Sequence, residues 1–213
     1  MITTVTPFKG RHNYLRLMLA TLAEAARGKD VQSILVQTDE YDEPLPDIVH
    51  ELPFVSLTQH KFLNVGTVHS DALNYVFGSS TTDWVLLLDS DMILHPLALE
   101  KAEQMVKDLP DMGYGSIFNT EEHPDCGGIA GGYVRKNLMG YCATIIKRSV
   151  WRQIDCAPDD IQFSNAVMSL GLGVYCTETS YAEHLGFEGF NRRGDEFENS
   201  TRVIDRARRF MDC

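Results

Sequence analysis

Two aspartates, Asp89 and Asp91, directly follow a run of five apolar residues at positions 84–88. A short apolar run without helical spacing is typical of a strand that is buried on both faces of a sheet. Two neighbouring carboxylates at the end of such a strand need water, a metal ion or a phosphate-bearing ligand beside them, because burying unpaired anions is costly. Ligands of open α/β sheets bind at the carboxyl ends of strands. The pattern therefore predicts a divalent-metal site at the edge of a nucleotide-binding crevice.

The D-x-D spacing by itself is weak evidence for such a site. A chain of 213 residues with 17 aspartates holds roughly one such pair by chance. The alternative interpretation is that Asp89 and Asp91 are solvated residues at a turn between a strand and a helix. The elements around the pair have to decide between the two interpretations.

Strand and helix patterns alternate along residues 1–96. Apolar residues within 12–26 recur with the i, i+3, i+4 spacing of an amphipathic helix. This βαβ rhythm predicts a parallel sheet with right-handed crossovers. The predicted strands are residues 2–6, 33–38, 54–57 and 84–88, and the predicted helices are residues 12–26 and 65–77.

The second half of the chain is less regular. Residues 120–140 and 187–200 are rich in glycine or polar residues, and both are predicted to be long loops. The fold class that follows is α/β, with a mostly parallel sheet and flanking helices in a single compact domain. The predicted helices are residues 97–109, 150–154 and 161–170, and the predicted strands are residues 114–119, 141–146, 174–177 and 181–184.

The composition is that of an ordinary globular protein, with 44% hydrophobic and 23% charged residues. No apolar run approaches the roughly 20 residues of a membrane helix, and the first residues do not resemble a secretory signal. The five cysteines include no C-x-x-C pair, which favours a reducing compartment and predicts a cytoplasmic protein.

The charge is strongly acidic and unevenly distributed. A net charge of −11 argues against nonspecific nucleic-acid binding by the whole surface. Six of the twelve arginines nevertheless fall within residues 192–213. These arginines form either a solvated helix face or a carboxyl-terminal arm that faces phosphate.

Several short motifs occur in a fixed order along the chain. They are TPFKGR at residues 6–11, N-x-G at 64–66, Asn74, WVLLLDSDMIL at 84–94, GYCATIIKR at 140–148, PDDIxF at 158–163 and YAEHLG at 181–186. This ordered set resembles the GT-A fold glycosyltransferases, and most closely their family 2-like group, over residues 2–186. The chain differs from the group at Leu73, where an arginine often precedes the motif asparagine, and it lacks the Q-x-x-R-W motif of processive members.

The resemblance implies transfer of a sugar from a nucleotide-sugar donor with the help of Mn²⁺ or Mg²⁺. The ion would neutralise the charge of the diphosphate leaving group. Asp91 would be a direct metal ligand, Asp89 would act through water or the ribose hydroxyls, and His184 would be a third ligand. The nitrogen of His184 would favour Mn²⁺ over Mg²⁺, although a lone histidine is also an ordinary core or surface residue.

Asp159 and Asp160 have two interpretations. Acidic residues in the first turn of a helix stabilise the helix dipole by about 0.3–1 kcal/mol. The resemblance instead implies an acidic pair in which Asp160 deprotonates the acceptor hydroxyl and Asp159 is an acceptor or structural contact. A base on the face opposite the leaving group would invert the anomeric centre.

The resemblance also implies a set of nucleotide contacts, although ordinary turn chemistry or helix capping explains several of them equally well. Arg192 and Arg193 are a further hypothesis, in which they fold over the diphosphate. Residues 1–96 would form the nucleotide-sugar-binding half, residues 97–186 the acceptor-binding half, and residues 187–213 a flexible loop and a carboxyl-terminal helix. The implied nucleotide contacts are Thr6, Pro7, Arg11, Asp39, Asn64, Asn74, Asp89 and Ser90.

Three other classes of protein are alternatives for this sequence. A sugar-phosphate nucleotidyltransferase would want a glycine-rich phosphate cradle after the first strand, where residues 6–11 offer one glycine. A haloacid-dehalogenase-like phosphatase would want threonine at the position of Ile93. A non-catalytic nucleotide-sugar-binding module would keep the crevice but would not need Asp160. The acceptor is open between a glycan, a lipid-linked sugar, a protein, a small molecule and a modified DNA base, and the acidic charge weighs against the last.

Overall fold

The computed structural model describes residues 2–10, 12–38, 45–60, 67–120, 123, 125–129, 131–154 and 159–185. Several predictions fall outside these residues. They are the roles of Arg11, Asp39, Asn64, Arg192 and Arg193, the loop at residues 187–200 and the carboxyl-terminal helix.

The described chain alternates strands and helices from its start, as the sequence pattern predicts. None of its helices is long and apolar enough to cross a membrane. The strands are β1 (Ile2–Phe8), β2 (Val31–Thr38), β3 (Val55–His60), β4 (Trp84–Leu87), β5 (Met92–Leu94), β6 (Met112–Ser116), β7 (Asp125–Ile129), β8 (Tyr133–Lys136), β9 (Thr144–Lys147), β10 (Gly173–Thr177) and β11 (Ala182–His184). The helices are α1 (His12–Ala25), α2 (Ile48–Glu51), α3 (Val68–Ser79), α4 (Ala98–Asp108), α5 (Arg148–Trp151) and α6 (Asp160–Ser169).

Nine of the described strands form one sheet in the order β3-β2-β1-β4-β9-β6-β10-β8-β7. The first four strands in this order are all parallel, which confirms the βαβ rhythm of residues 1–96. Only β8 and β9 run against the other seven strands. The sheet is therefore mostly parallel, and the carboxyl ends of β1, β2 and β4 lie at one edge.

The central strand β4 is buried on both faces, as its apolar run predicts. Val85 and Leu87 pack in the apolar layer that includes α3 and α6, whereas Leu86 and Leu88 pack in the layer that includes α1 and α4. All four side chains are fully buried, and burying each of them stabilises the fold by about 1.5–3 kcal/mol. Packing on both faces therefore fixes the position of the end of β4, which leads directly to Asp89.

A second sheet of two strands, β5 and β11, stands beside the large one. The sequence pattern did not predict β5, because its three residues are too few to show a period. The two strands are antiparallel, with Met92 opposite His184 and Leu94 opposite Ala182. This small sheet joins the segment after β4 to the end of the described chain.

The prediction of a long loop at residues 120–140 is wrong in part. β7 and β8 form an antiparallel hairpin inside this segment, and β8 pairs with β10 of the large sheet. Gly131 and Gly132 have φ angles of 94° and 79°, a left-handed conformation that suits glycine in a hairpin turn. The glycines that suggested a loop therefore include the turn of a hairpin.

Arg148 connects α3 to the segment that precedes β4. Its guanidinium donates hydrogen bonds to the carbonyl oxygens of Phe77 at 2.9 Å, Ser80 at 2.6 Å and Thr82 at 2.6 Å. These carbonyls belong to the end of α3 and to the segment that leads into β4. Hydrogen bonds from a charged donor are stronger than neutral ones, so this contact fixes α3 relative to β4.

Replacing Arg148 with methionine should lower the free energy of unfolding by on the order of 2 kcal/mol, because three carbonyls lose a charged donor. Urea unfolding measures this change. Arg152→Met is the matched control, since Arg152 is exposed at the end of α5 and its loss should cost less than about 0.5 kcal/mol. Equal effects of the two substitutions would contradict this role of Arg148.

Candidate active site

The candidate site begins where β4 ends and the chain turns into β5. Asp91 is 3% exposed and Ser90 is also buried, while Asp89 lies at the rim of the site. The backbone nitrogen of Leu185 donates to the carbonyl oxygen of Asp91 at 2.9 Å, which extends the pairing of β5 with β11 by one residue. The pairing therefore places His184 beside Asp91, with His184 Nε2 at 3.2 Å from Asp91 Oδ1.

This separation suits two ligands of one metal ion. Adjacent ligands of an octahedral ion with bonds of about 2.1 Å lie about 3.0 Å apart. Asp91 and His184 meet this condition with a carboxylate oxygen and an imidazole nitrogen, the donor types that Mn²⁺ accepts. The residues present therefore fit the metal that the family resemblance implies.

Asp89 is held by two residues that come from other elements. His69, in the first turn of α3, places Nε2 at 2.6 Å from Asp89 Oδ1. Cys142, which lies just before β9, donates from Sγ to Asp89 Oδ2 at 3.2 Å. Burial raises the pKa of the Asp89 carboxyl, but the charge and hydrogen bond of His69 outweigh burial and lower this pKa from 3.8 to about 2.

His69 lies among acidic side chains, and their charges change its pKa. Burial lowers the pKa of His69, but the carboxylates of Asp89, Asp160 and Asp91 outweigh burial and raise this pKa above 6.5. The raised pKa favours the protonated form of His69, and the three carboxylates make the surroundings of this ring acidic.

Cys142 brings a thiol into the same cluster. Burial raises the pKa of this thiol well above its usual value, and the carboxylates of Asp89, Asp91 and Asp160 raise it further. Donor atoms of Asp89, Cys142 and His184 all lie within 4.8 Å of one another. The residue after Cys142, Ala143, has a φ of 47°, a left-handed conformation that is uncommon for residues other than glycine and that is often found at functional sites.

The structure gives Asp159 and Asp160 different surroundings. Asp159 caps α6, because its Oδ1 accepts a hydrogen bond from the backbone nitrogen of Gln162 at 2.7 Å. Asp160 is the first residue of α6, and a Cβ added to Gly140 would lie 3.4 Å from Asp160 Oδ2. Its charge reaches Tyr141, whose pKa is raised by burial first and then by Asp160. Asp160 therefore faces the cluster, while the side chain of Asp159 serves the helix.

The remaining described candidates fall into two groups. Thr6 and Pro7 lie near the carboxyl end of β1, next to β4, and both are buried. Asn74 lies farther along α3 than His69 and accepts a hydrogen bond from Trp151 Nε1 at 2.8 Å. A structural role, the attachment of α3 to α5, is sufficient to explain this contact of Asn74.

Sequence reasoning missed His69 and Cys142 as site residues. They lie 20 and 53 positions from Asp89 along the chain, so no local spacing connects them to it. The irregular stretch between Gly66 and Asn74 was the only signal near His69. Cys142 was visible within the GYCATIIKR motif, but only as part of a predicted strand.

A cavity of about 410 Å³ is lined by polar residues, and its volume is within the range of about 300–1,000 Å³ that is usual for small-molecule sites. His123 lies at its wall, where His123 Nε2 accepts a hydrogen bond from the backbone nitrogen of Gly140 at 3.1 Å. Lys136 is 2% exposed and pairs with Asp125 at 2.5 Å. A Cβ added to Gly140 would lie 3.4 Å from both His123 Nε2 and Asp160 Oδ2. Gly140 therefore lies between Asp160 and His123 at the cavity wall.

The profile of Glycosyl transferase family 2 matches residues 3–128 of the sequence. The match covers more than half of the chain, and it includes Asp89, Asp91 and the strands that lead to them. The chain belongs to glycosyl transferase family 2. Comparison with curated protein sequences found no match.

Solved structures with a similar fold are GT-A glycosyltransferases, and the predicted fold is thereby confirmed. The mannosyltransferase PcManGT from Pyrobaculum calidifontis, in complex with GDP-Man and Mn²⁺, aligns with a TM-score of 0.67 and 15% identity over 89% of this chain and 58% of that one. S. aureus TarS 1–349 in complex with UDP-GlcNAc aligns with a TM-score of 0.62 and 12% identity over 98% of this chain and 66% of that one. The chain thus spans 58% of the PcManGT chain and 66% of the TarS 1–349 chain, which is less than two thirds of each.

The contact of His69 with Asp89 predicts how the stability of the metal-free protein depends on pH. Because the pKa of His69 is raised above 6.5, the contact stabilises fully below that pH and is lost as the pH rises through the raised value. Because the pKa of Asp89 is lowered from 3.8 to about 2, its contribution is present above 3.8 and is lost as the pH falls towards 2.

Urea unfolding in EDTA tests the alkaline limb. Between about pH 6 and about pH 9 the free energy of unfolding should fall more in the wild type than in His69→Gln, which keeps a donor but cannot carry the charge. The same decline in both proteins would show that His69 is not the titrating partner of Asp89.

Proposed function

We propose that this protein is a metal-dependent glycosyltransferase that moves a sugar from a nucleotide-sugar donor to an acceptor hydroxyl with inversion at the anomeric carbon. The observation that carries the proposal is the pair of Asp91 and His184, buried and half-buried, at 3.2 Å from each other at the carboxyl end of β4. Membership of glycosyl transferase family 2 supports the class of reaction.

The proposed metal ligands are Asp91 and His184, with Asp89 acting directly or through water. A Mn²⁺ or Mg²⁺ ion held there neutralises the charge that develops on the diphosphate as the glycosidic bond breaks. The imidazole of His184 favours Mn²⁺. The presence of GDP-Man and Mn²⁺ in the PcManGT structure supports this choice, because that protein shares the fold.

The nucleotide is proposed to lie along the edge formed by the carboxyl ends of β1 and β4. Thr6, Pro7 and Ser90 border this edge and are buried, so they can shape the crevice without long side chains. His69 neutralises Asp89 and thereby limits the repulsion that a diphosphate would meet. The predicted contacts of Arg11, Asp39, Asn64 and Asn74 complete the proposed nucleotide site.

Asp160 is the proposed base. The acceptor oxygen attacks the anomeric carbon while its proton passes to Asp160, and the nucleoside diphosphate leaves from the opposite face. The cap by Asp159 fixes the first turn of α6 and so positions Asp160, which supports a structural contact as the role of Asp159.

The polar cavity beside Gly140 is the proposed approach for the acceptor. Its lining by Asn119, Glu178 and Ser180 favours a hydroxyl-rich acceptor over an apolar one.

A screen of UDP-, GDP-, CMP- and dTDP-sugars with Mn²⁺, Mg²⁺ or EDTA tests the metal and the donor together. A donor at about 100 times its Kd should stabilise the wild type by about 2.7 kcal/mol, seen as a shift in Tm. Asp91→Asn should abolish the shift and lower donor turnover by about 100-fold or more. Asp83→Asn, an exposed residue before β4, is the matched control and should change neither. A shift that survives in EDTA would contradict the metal dependence.

Asp160→Asn separates catalysis from binding. Loss of the base should lower turnover by about 100- to 10,000-fold while the metal-dependent thermal shift with donor is retained. Asp159→Asn is the control, because asparagine caps a helix as well as aspartate does and turnover should be close to that of the wild type. Proton NMR of the product's anomeric signal tests inversion. Full turnover in Asp160→Asn, or donor binding without turnover in the wild type, would refute the proposed role of Asp160.

A further inference from the structure

The candidate metal site contains a thiol, which a site for hard ions does not need. Mg²⁺ is held by oxygen ligands in proteins, and one or two carboxylates with phosphate and water are sufficient for it. Cys142 Sγ nevertheless lies 3.2 Å from Asp89 Oδ2, and donor atoms of Asp89, Cys142 and His184 lie within 4.8 Å of one another. Sulfur, nitrogen and carboxylate oxygen are the donor types that bind zinc in proteins.

The arrangement is held by contacts around the three donors. His69 binds one oxygen of Asp89 at 2.6 Å, so the other oxygen is directed to Cys142. The pairing of β5 with β11 fixes His184 beside the segment after β4. Ala143, left-handed at a φ of 47° and fully buried, fixes the backbone next to Cys142. Each of the three donors therefore comes from a different part of the fold and is oriented by a separate contact.

We propose that Asp89, Cys142 and His184 bind a thiophilic divalent ion such as Zn²⁺, Co²⁺ or Cd²⁺ through a metal–sulfur bond. As this bond forms, the Cys142 thiol releases its proton to solvent, so the ion is held by a thiolate, a carboxylate and a neutral imidazole. No electron is transferred, and water completes the coordination.

The proposal also implies that two metal ions compete for His184, and this implication rests on the proposed function. His184 lies 3.2 Å from Asp91 and is also part of the thiol-containing set, so one imidazole serves both arrangements. An ion bound to Cys142 and an ion bound to Asp91 therefore exclude each other. Zn²⁺ is expected to displace Mn²⁺ and to inhibit transfer, whereas Mg²⁺ is expected to leave Cys142 unbound.

Titration of the intact protein with Co²⁺ tests the metal–sulfur bond directly. The wild type should develop a sulfur-to-cobalt charge-transfer band in the near ultraviolet that saturates at one Co²⁺ per chain. Cys142→Ser should lose this band. Cys176→Ser is the control, because Cys176 is a buried cysteine outside the cluster whose Sγ contacts the carbonyl oxygen of Phe118 at 3.3 Å, and it should keep the band. A band that persists in Cys142→Ser, or no band in the wild type, would overturn the proposal.

A measurement on the unsubstituted protein guards against misfolding of the serine variant. X-ray absorption of the protein with one equivalent of Zn²⁺ should show a sulfur neighbour at about 2.3 Å. A coordination shell of nitrogen and oxygen alone would refute the thiolate ligand. The Mn²⁺-dependent thermal shift with nucleotide-sugars, measured on the same samples, separates the two hypotheses, because a retained shift without a zinc–sulfur bond would overturn only the role of Cys142.

Discussion

The site depends on one electrostatic constraint, which is that carboxylates gather where a fully buried strand ends. β4 cannot shift, since its side chains are buried in both apolar layers, and the chain that follows it must place Asp89 and Asp91 at the edge of the sheet. Anions so close together need compensation. The fold supplies one part of this compensation through the contact of His69 with Asp89, and a divalent cation is proposed to supply the rest.

The surrounding elements are arranged around this constraint. Helix α3 places His69 beside Asp89. Arg148 binds carbonyl oxygens at the end of that helix and in the segment before β4. The pairing of β5 with β11 places His184 beside Asp91. Helix α6 adds Asp160 from the other side, across Gly140. The site is therefore assembled from segments that are far apart in the sequence.

The sequence was informative where structure is local. The apolar run before Asp89 and the βαβ rhythm predicted the central strand and the parallel half of the sheet, because a strand buried on both faces is a continuous apolar run and an amphipathic helix has regularly spaced apolar residues. It was less informative where contacts are distant or elements are short. The turn glycines of the β7–β8 hairpin resemble loop residues in the sequence, and His69 and Cys142 contact Asp89 only through the folded topology.

The central claim is that the cluster at the end of β4 binds a divalent cation together with a nucleotide. Electron paramagnetic resonance of Mn²⁺ measures this most directly, because the signal of the free ion falls as the ion binds. The account predicts one Mn²⁺ site per chain, tighter binding when UDP or GDP is added, and loss of both effects in Asp91→Asn. Mn²⁺ binding that is absent, or that is the same with and without nucleotide and in the variant, would contradict it.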